Sequence, residues 1–204
     1  MTTIAVIGQG RVGATLARKW ALAGHQLVLG ARDPKGERVR ALAAELGAAA
    51  TTATVADAVR DADVVVFAIP GAGMAGTVDA VAADLDGKTV IDATNNVGAK
   101  PMHSMDVIAA AAPGARVFRA FSSLGWENFA DPVIDGVQAD LFYAGPEGEA
   151  NELVARLIAD VGLRPVRVGD RAQADLVDNL TALWFAMVFQ QGRSRHLAFK
   201  MIGG

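Results

Sequence analysis

Six residues near the start of the chain, Gly8-Gln9-Gly10-Arg11-Val12-Gly13, constrain its fold more than any others. They leave a short run rich in Ile and Val, TIAVIG, and open a segment where Val12, Leu16, Trp20 and Ala23 recur at helical spacing until Gly24. A second apolar run, HQLVLG, follows. A G-x-G-x-x-G in isolation marks many loops, but between a strand and a helix, with another strand after it, it demands a βαβ unit. The first glycine permits a tight turn, the second lets the backbone approach a pyrophosphate, and the third lets helix and strand pack closely. The helix N-terminus then offers unpaired N–H groups and a partial positive charge to an anion.

The same alternation continues. DVVVFAIP, TVIDA, RVFRAF, DLFYAG and RPVRVG read as further strands. Helices are expected from Pro34, with Val39, Leu42 and Leu46 on one face, after Thr54, around Thr77 to Leu85, before Pro113-Gly114, and from Glu149 to Val161. Such a chain predicts an α/β, Rossmann-like, doubly wound fold with a mostly parallel sheet covered on both faces. Residues 1–169 are expected to form the nucleotide-binding domain with additional strands, and 170–204 a small C-terminal helical segment. From Ala172 to about Met201 the pattern predicts helix throughout. Leu176, Leu180, Leu183, Trp184, Met187 and Val188 give it a wide apolar face for packing on the sheet, for a dimer interface, or for both.

Composition removes several classes of function. A net charge of −3 over 204 residues argues against wholesale binding of nucleic acid or an anionic membrane. The absence of cysteine removes disulfides, thiolate metal sites and cysteine nucleophiles together. MTTIAVIGQG lacks the basic leader of a signal peptide, and the apolar stretch LTALWFAMVF has about half the length of a membrane span. The expectation is a cytoplasmic protein without a membrane segment.

Nucleotide selectivity should reside in LVLGARDP, Leu27 to Pro34. About twenty residues beyond the first glycine, an NAD enzyme places a carboxylate on the ribose hydroxyls. Gly30 stands there instead, leaving room for a 2′-phosphate that Arg32 can meet with a two-pronged, charge-assisted hydrogen bond. Ala31 lies between them, and Lys35 and Arg38 lie within reach. NADP(H) is therefore expected over NAD(H), although Asp33 keeps dual use open and also offers Arg32 a surface ion pair.

Ligands bind beyond the carboxyl ends of parallel strands, here Ala68-Ile69-Pro70, Asp92 to Asn96, and Ala120 to Ser123. Asn95 suits either the nicotinamide ribose or carboxamide, or a turn cap. No catalytic acid is evident and no metal-ligand spacing occurs. His103 reads as a surface imidazole near the cleft, with Asp92 and Tyr143 as the other weak proton donors. A hydride acceptor that delocalises charge within its own ring, a flavin or deazaflavin, needs no such donor.

The segments IAVIGQGRVG, the Gly-Ala-Arg at the second strand's exit, VIDATNN, AFSSLGWENFADP, DLFYAG, and GLRPVRVG leading to LTALWFAM carry a nearly end-to-end resemblance. The chain is similar to the F420-dependent NADP oxidoreductases (NADPH:coenzyme F420 reductases). That resemblance implies hydride transfer between NADP(H) and coenzyme F420, a homodimer, and nucleotide binding by Gly8, Gln9, Gly10, Arg11, Val12, Ala31 and Arg32. It also implies that Ile69, Pro70 and Asn95 lie near the nucleotide and that Phe121 borders the nicotinamide–deazaflavin contact. Two segments depart from the family pattern, Arg119-Ala120-Phe121-Ser122-Ser123 for a more usual Lys-Ala-Phe-Asn-Thr, and VGAKPMHSM after Asn95. Both fall beside the implied second-substrate site, so a flavin, an imine or a quinone stays open as the acceptor. An NADPH-dependent imine or carbonyl reductase and a non-catalytic NADP(H) sensor are the competing functions.

Overall fold

The computed structural model describes residues 1–203. Its centre is an eight-stranded sheet in the order β10-β9-β6-β5-β4-β1-β2-β3. The strands are β1 (Thr3–Ile7), β2 (Gln26–Ala31), β3 (Ala50–Thr54), β4 (Val64–Phe67), β5 (Thr89–Asp92), β6 (Arg116–Arg119), β9 (Asp140–Ala144) and β10 (Arg164–Gly169), with β7 (Val133–Ile134) and β8 (Val137–Gln138) forming a separate hairpin. β1 to β6 run parallel, whereas β9 meets β6 antiparallel and carries β10 parallel to itself. This is the expected Rossmann-like, mostly parallel arrangement.

The central strands are apolar along their whole length because both faces are covered. On one face lie α1 (Arg11–Leu22), α2 (Glu37–Leu46), α7 (Trp126–Ala130) and α8 (Glu149–Val161), whose Leu16, Trp20, Val39, Phe129, Val154 and Leu157 join one buried cluster. The Trp20 indole is fully buried yet donates to the Leu157 carbonyl at 2.9 Å, which ties α1 to α8 without leaving its N–H unpaired. On the other face lie α3 (Val55–Asp61), α4 (Met74–Asp79), α5 (Ala82–Leu85) and α6 (Met105–Ala111), which contribute Val59, Met74, Leu85 and Ile108 to a second cluster. The last helix, α9 (Ala174–Phe185), supplies Val177 to that cluster and Trp184 to the first, so it crosses from one face to the other.

Several expectations change. The helix expected from Thr77 to Leu85 is broken into α4 and α5. β3 was hidden because ATTAT carries no large apolar residue and forms an edge. Helix continues only through a π-turn at Ala186–Gln190, and residues 191–203 run as irregular chain rather than as helix to Met201. Of the expected apolar face, Trp184 and Val188 are buried, whereas Leu176 and Leu183 project outward with Phe189. The buried face of α9 instead contains Val177, Asp178 and Thr181.

The irregular tail is held by Asp140, whose carboxylate accepts from Arg164, Lys200 and the Met201 amide. Burial pushes this carboxyl up, but these donors outweigh it and hold the group down to about 2. A depressed carboxyl contributes stability above its ordinary value and loses it as pH falls through the folded value. Asp140 should therefore contribute about 2 kcal/mol that disappears between roughly pH 5 and pH 2. Urea unfolding across that range checks this, and Asp140→Asn should flatten the acid dependence while lowering stability at neutral pH.

Candidate functional site

The parallel strands deliver their carboxyl ends to one rim, and the strand order reverses between β1 and β4, where α/β proteins place ligands. The turn after β1 shows why its glycines are needed. Gly8 has φ of 106°, and a β-carbon there would lie 2.5 Å from the Ala68 carbonyl oxygen. A β-carbon on Gly13 would strike the Gly8 carbonyl, whereas one on Gly10 would meet nothing within 4 Å. Gly10 thus faces open space at the N-terminus of α1, where no side chain caps the helix and its first turn holds no acid. The leading amides remain available to an anion. Gln9 does not reach into that space. Its amide donates to the Val6 and Gly30 carbonyls and braces the turn against β2.

At the exit of β2 the reason for Gly30 is corrected. It is buried, and a β-carbon would run into Ile7 and lie 3.0 Å from the Ala58 β-carbon. Gly30 is therefore required by packing against α3, and the open corner begins at Ala31. Arg32 is exposed and has no hydrogen bond or ion pair from its side chain among the described residues. Asp33 accepts the Lys35 amide at 3.0 Å, so the Arg32–Asp33 pair is not formed. Lys35 is exposed beside them.

Beyond β4, Ala68 and Ile69 are half-buried and Pro70 is exposed. Asn95, after β5, is a brace: its amide nitrogen donates to the Ser122 carbonyl, and its oxygen accepts from Arg119 at 2.7 Å. Phe121, expected to border the nicotinamide–deazaflavin contact, turns its ring into the core. Phe121 is buried with edge-on contacts to Trp20 and Phe129, each 5.7 Å between centroids. Its φ of 59° is unusual for a side chain of this size, a strained turn that sends the ring into the core.

Arg119 was not expected to matter. It is fully buried, donates to the Asp92 and Thr94 carbonyls and to Asn95, and pairs with Asp178 of α9 at 2.8 Å. The other Asp178 oxygen accepts the amides of Met102 and His103, both at 2.9 Å. Asp92 is equally buried, accepting from the Thr94 amide and hydroxyl and from the Ser104 amide. A charge inside the apolar string RVFRAF was the one available signal. Its partner lies 59 residues away and no spacing rule connects them.

Between the 97–103 loop and α9 lies a cleft of 1440 Å³, walled by Pro101, Met102, His103, Asn179, Phe185 and Phe189. His103 is not a surface imidazole, since its side chain is 7% exposed, with Nε2 3.5 Å from Asp175 and Nδ1 buried without a partner. His103, Asp175 and Asp178 thus gather ligand-type atoms within 4.8 Å, a grouping that sequence spacing did not show. Asp178 already accepts three donors, so it is a poor metal ligand. The remaining donor candidates lie elsewhere. Asp92 is enclosed, and the Tyr143 hydroxyl, pushed up by burial, donates to Asn151.

Residues 3–96 match the family described as NADP oxidoreductase, coenzyme F420-dependent. The F420-dependent NADP reductase of Methanothermobacter thermautotrophicus is 27% identical, over 88% of this chain and 86% of that protein. A solved structure from Arthrobacter sp. FB24, proposed to be an F420-dependent NADP-reductase, superimposes with a TM-score of 0.85 at 25% identity over the full length of both chains. A hypothetical protein from Sinorhizobium meliloti is 31% identical over 84% of this chain and 87% of its own, with a TM-score of 0.72.

Removing one partner from a buried ion pair costs about 3–5 kcal/mol, because the other charge stays buried and unpaired. Asp178→Ala should therefore lower the melting temperature by roughly 6–20 °C, which thermal unfolding followed by circular dichroism would register. An unchanged melting temperature would show that the Arg119–Asp178 pair contributes nothing net.

Proposed function

We propose that this chain, whose residues 3–96 match the F420-dependent NADP oxidoreductase model, transfers a hydride between NADP(H) and coenzyme F420 or a related deazaflavin or flavin. The observation that carries the nucleotide half of this reading is the exposed, unengaged Arg32 guanidinium at the exit of β2, a corner with no carboxylate directed at it. A 2′-phosphate suits that guanidinium, while an unphosphorylated ribose gives it nothing to hold. Ala31 and Lys35 border the same corner. The space before Gly10 and the uncapped amides of α1 fit a pyrophosphate, with Gly8 to Val12 forming the cradle. Ala68, Ile69 and Pro70 then line the nicotinamide side. Asn95 acts there through the shape of its loop, because its amide is already engaged. Phe121 contributes by backbone position alone.

NADP(H) supplies the hydride chemistry when bound, and the chain supplies binding, orientation and exclusion of water. The Arg119–Asp178 knot holds the 95–103 loop still at the strand ends. The adjoining cleft, with Phe185 and Phe189 in its walls, is large enough for a ring system. The reading includes a homodimer and a cytoplasmic location. In support of the dimer, Leu176 and Leu183 are exposed seven residues apart on α9. No helix among the described residues is long and apolar enough to cross a membrane.

One observation favours imine or carbonyl reduction as the second reading. His103 is the one weak donor candidate that lies in the cleft wall. His103→Gln should leave deazaflavin-linked turnover within about twofold and lower imine reduction by a factor of roughly 10² or more.

Following NADPH absorbance with deazaflavin, flavin and quinone acceptors tests the main reading. Oxidation by the deazaflavin is expected, and nucleotide binding without turnover by any acceptor would favour a sensor. Arg32→Ala should weaken NADP(H) binding by about 1.5–3 kcal/mol, roughly ten- to a hundredfold, and leave NAD(H) nearly unchanged. Equal losses for both nucleotides would remove Arg32 from the phosphate site.

A further inference from the structure

Arg11 presents a physical anomaly. It is the first residue of α1, where the helix dipole already places partial positive charge, so a cation there is unfavourable unless an anion joins it. Its side chain is exposed and takes part in no hydrogen bond or ion pair among the described residues, and its guanidinium carbon lies 5.8 Å from the centre of the Trp126 ring. Trp126 opens α7, which follows β6 and packs against α1. The indole Nε1 of Trp126 is itself buried without a partner.

These positions give Arg11 a direction. Measured from the glycine turn, the adenosine corner at Ala31 and Arg32 lies on the β2 side of β1, whereas β4, β5 and β6 lie on the other side. Resting on Trp126 turns the Arg11 side chain toward the β6 side, away from Arg32. The next residue, Glu127, does not capture it. That carboxylate is bonded to Arg195, with Nε 2.5 Å from Oε1, and reaches Arg11 only through its field, so the Arg11 guanidinium keeps free donors near the open space before Gly10.

We propose that Arg11 grips the nicotinamide-side phosphate of the dinucleotide, and that Trp126 is the positioning residue that holds the guanidinium over that half of the cleft. The inference rests on the nucleotide reading above and divides the phosphates between two arginines, Arg32 for the 2′-phosphate and Arg11 for the second phosphate of the bridge. Trp126 needs only an aromatic face for this task, since a cation rests on the ring and not on the indole nitrogen.

Calorimetric titration of the full chain with NADP⁺ and with adenosine 2′,5′-bisphosphate separates the two arginines. The bisphosphate carries the 2′-phosphate and the adenosine-side phosphate but lacks the nicotinamide-side one. Arg11→Gln should weaken NADP⁺ roughly tenfold or more and the bisphosphate less than about twofold, whereas Arg32→Ala should weaken both. Trp126→Leu should reproduce the ligand-selective loss of Arg11→Gln at smaller size, and Trp126→Phe should restore NADP⁺ binding to within about twofold. A merely structural role for Trp126 would lower affinity for both ligands together. Equal losses for the two ligands in Arg11→Gln, or no loss for either, would overturn the inference while leaving the nucleotide reading intact. A wild-type chain that takes up neither ligand would overturn both.

Discussion

A single guanidinium, buried without access to water at the end of β6, organises the rim at the carboxyl ends of the central strands. Arg119 cannot lose its proton, so its charge must be answered inside the fold. The answer comes from one carboxylate on α9, two backbone carbonyls at the end of β5, and the side chain of Asn95. Asp178 carries the same logic outward by accepting the amides of Met102 and His103. The loop after β5 has little regular structure and few large apolar side chains, and polar bonding to a buried charge gives it a defined shape. Such a network adds little net stability over apolar packing of equal volume, but it specifies one arrangement of loop and helix.

The two sides of the rim are built on different principles. At the glycine turn, geometry is set by steric necessity: Gly8 and Gly13 admit no side chain, and Gln9 pins the turn to β2. At the β5 and β6 exits it is set by charge and hydrogen bonding. The first kind of construction suits a phosphate chain, which is recognised through backbone N–H groups at short range.

Those principles decide what was legible in the sequence. Periodic apolar runs and glycine spacing revealed β1, α1, β2 and the central strands, since each is a local pattern with a local cause. β3 escaped because an edge strand of Ala and Thr lacks that pattern. The tail beyond Gln190 was taken for helix because its composition suits one, whereas its shape follows from distant polar partners such as Asp140. At the rim, the open, uncapped turn after β1 was readable from the glycine spacing. The roles of Asn95 and Phe121 were not, because both depend on residues more than twenty positions away, Ser122 and Arg119 for one and Trp20 for the other. Gly30 teaches the same lesson in reverse: the position was noticed for its place in a motif, and its cause is the flank of α3.

One border of the sheet bears on how copies of this molecule meet. β10 forms an outer strand, and its second residue, Pro165, offers no N–H to an incoming chain, while Arg164 and Arg167 are engaged with Asp140 and Glu147 alongside it. Proline and charge on an outer strand discourage edge-to-edge pairing. Extension of this sheet from one molecule into the next is therefore discouraged along β10.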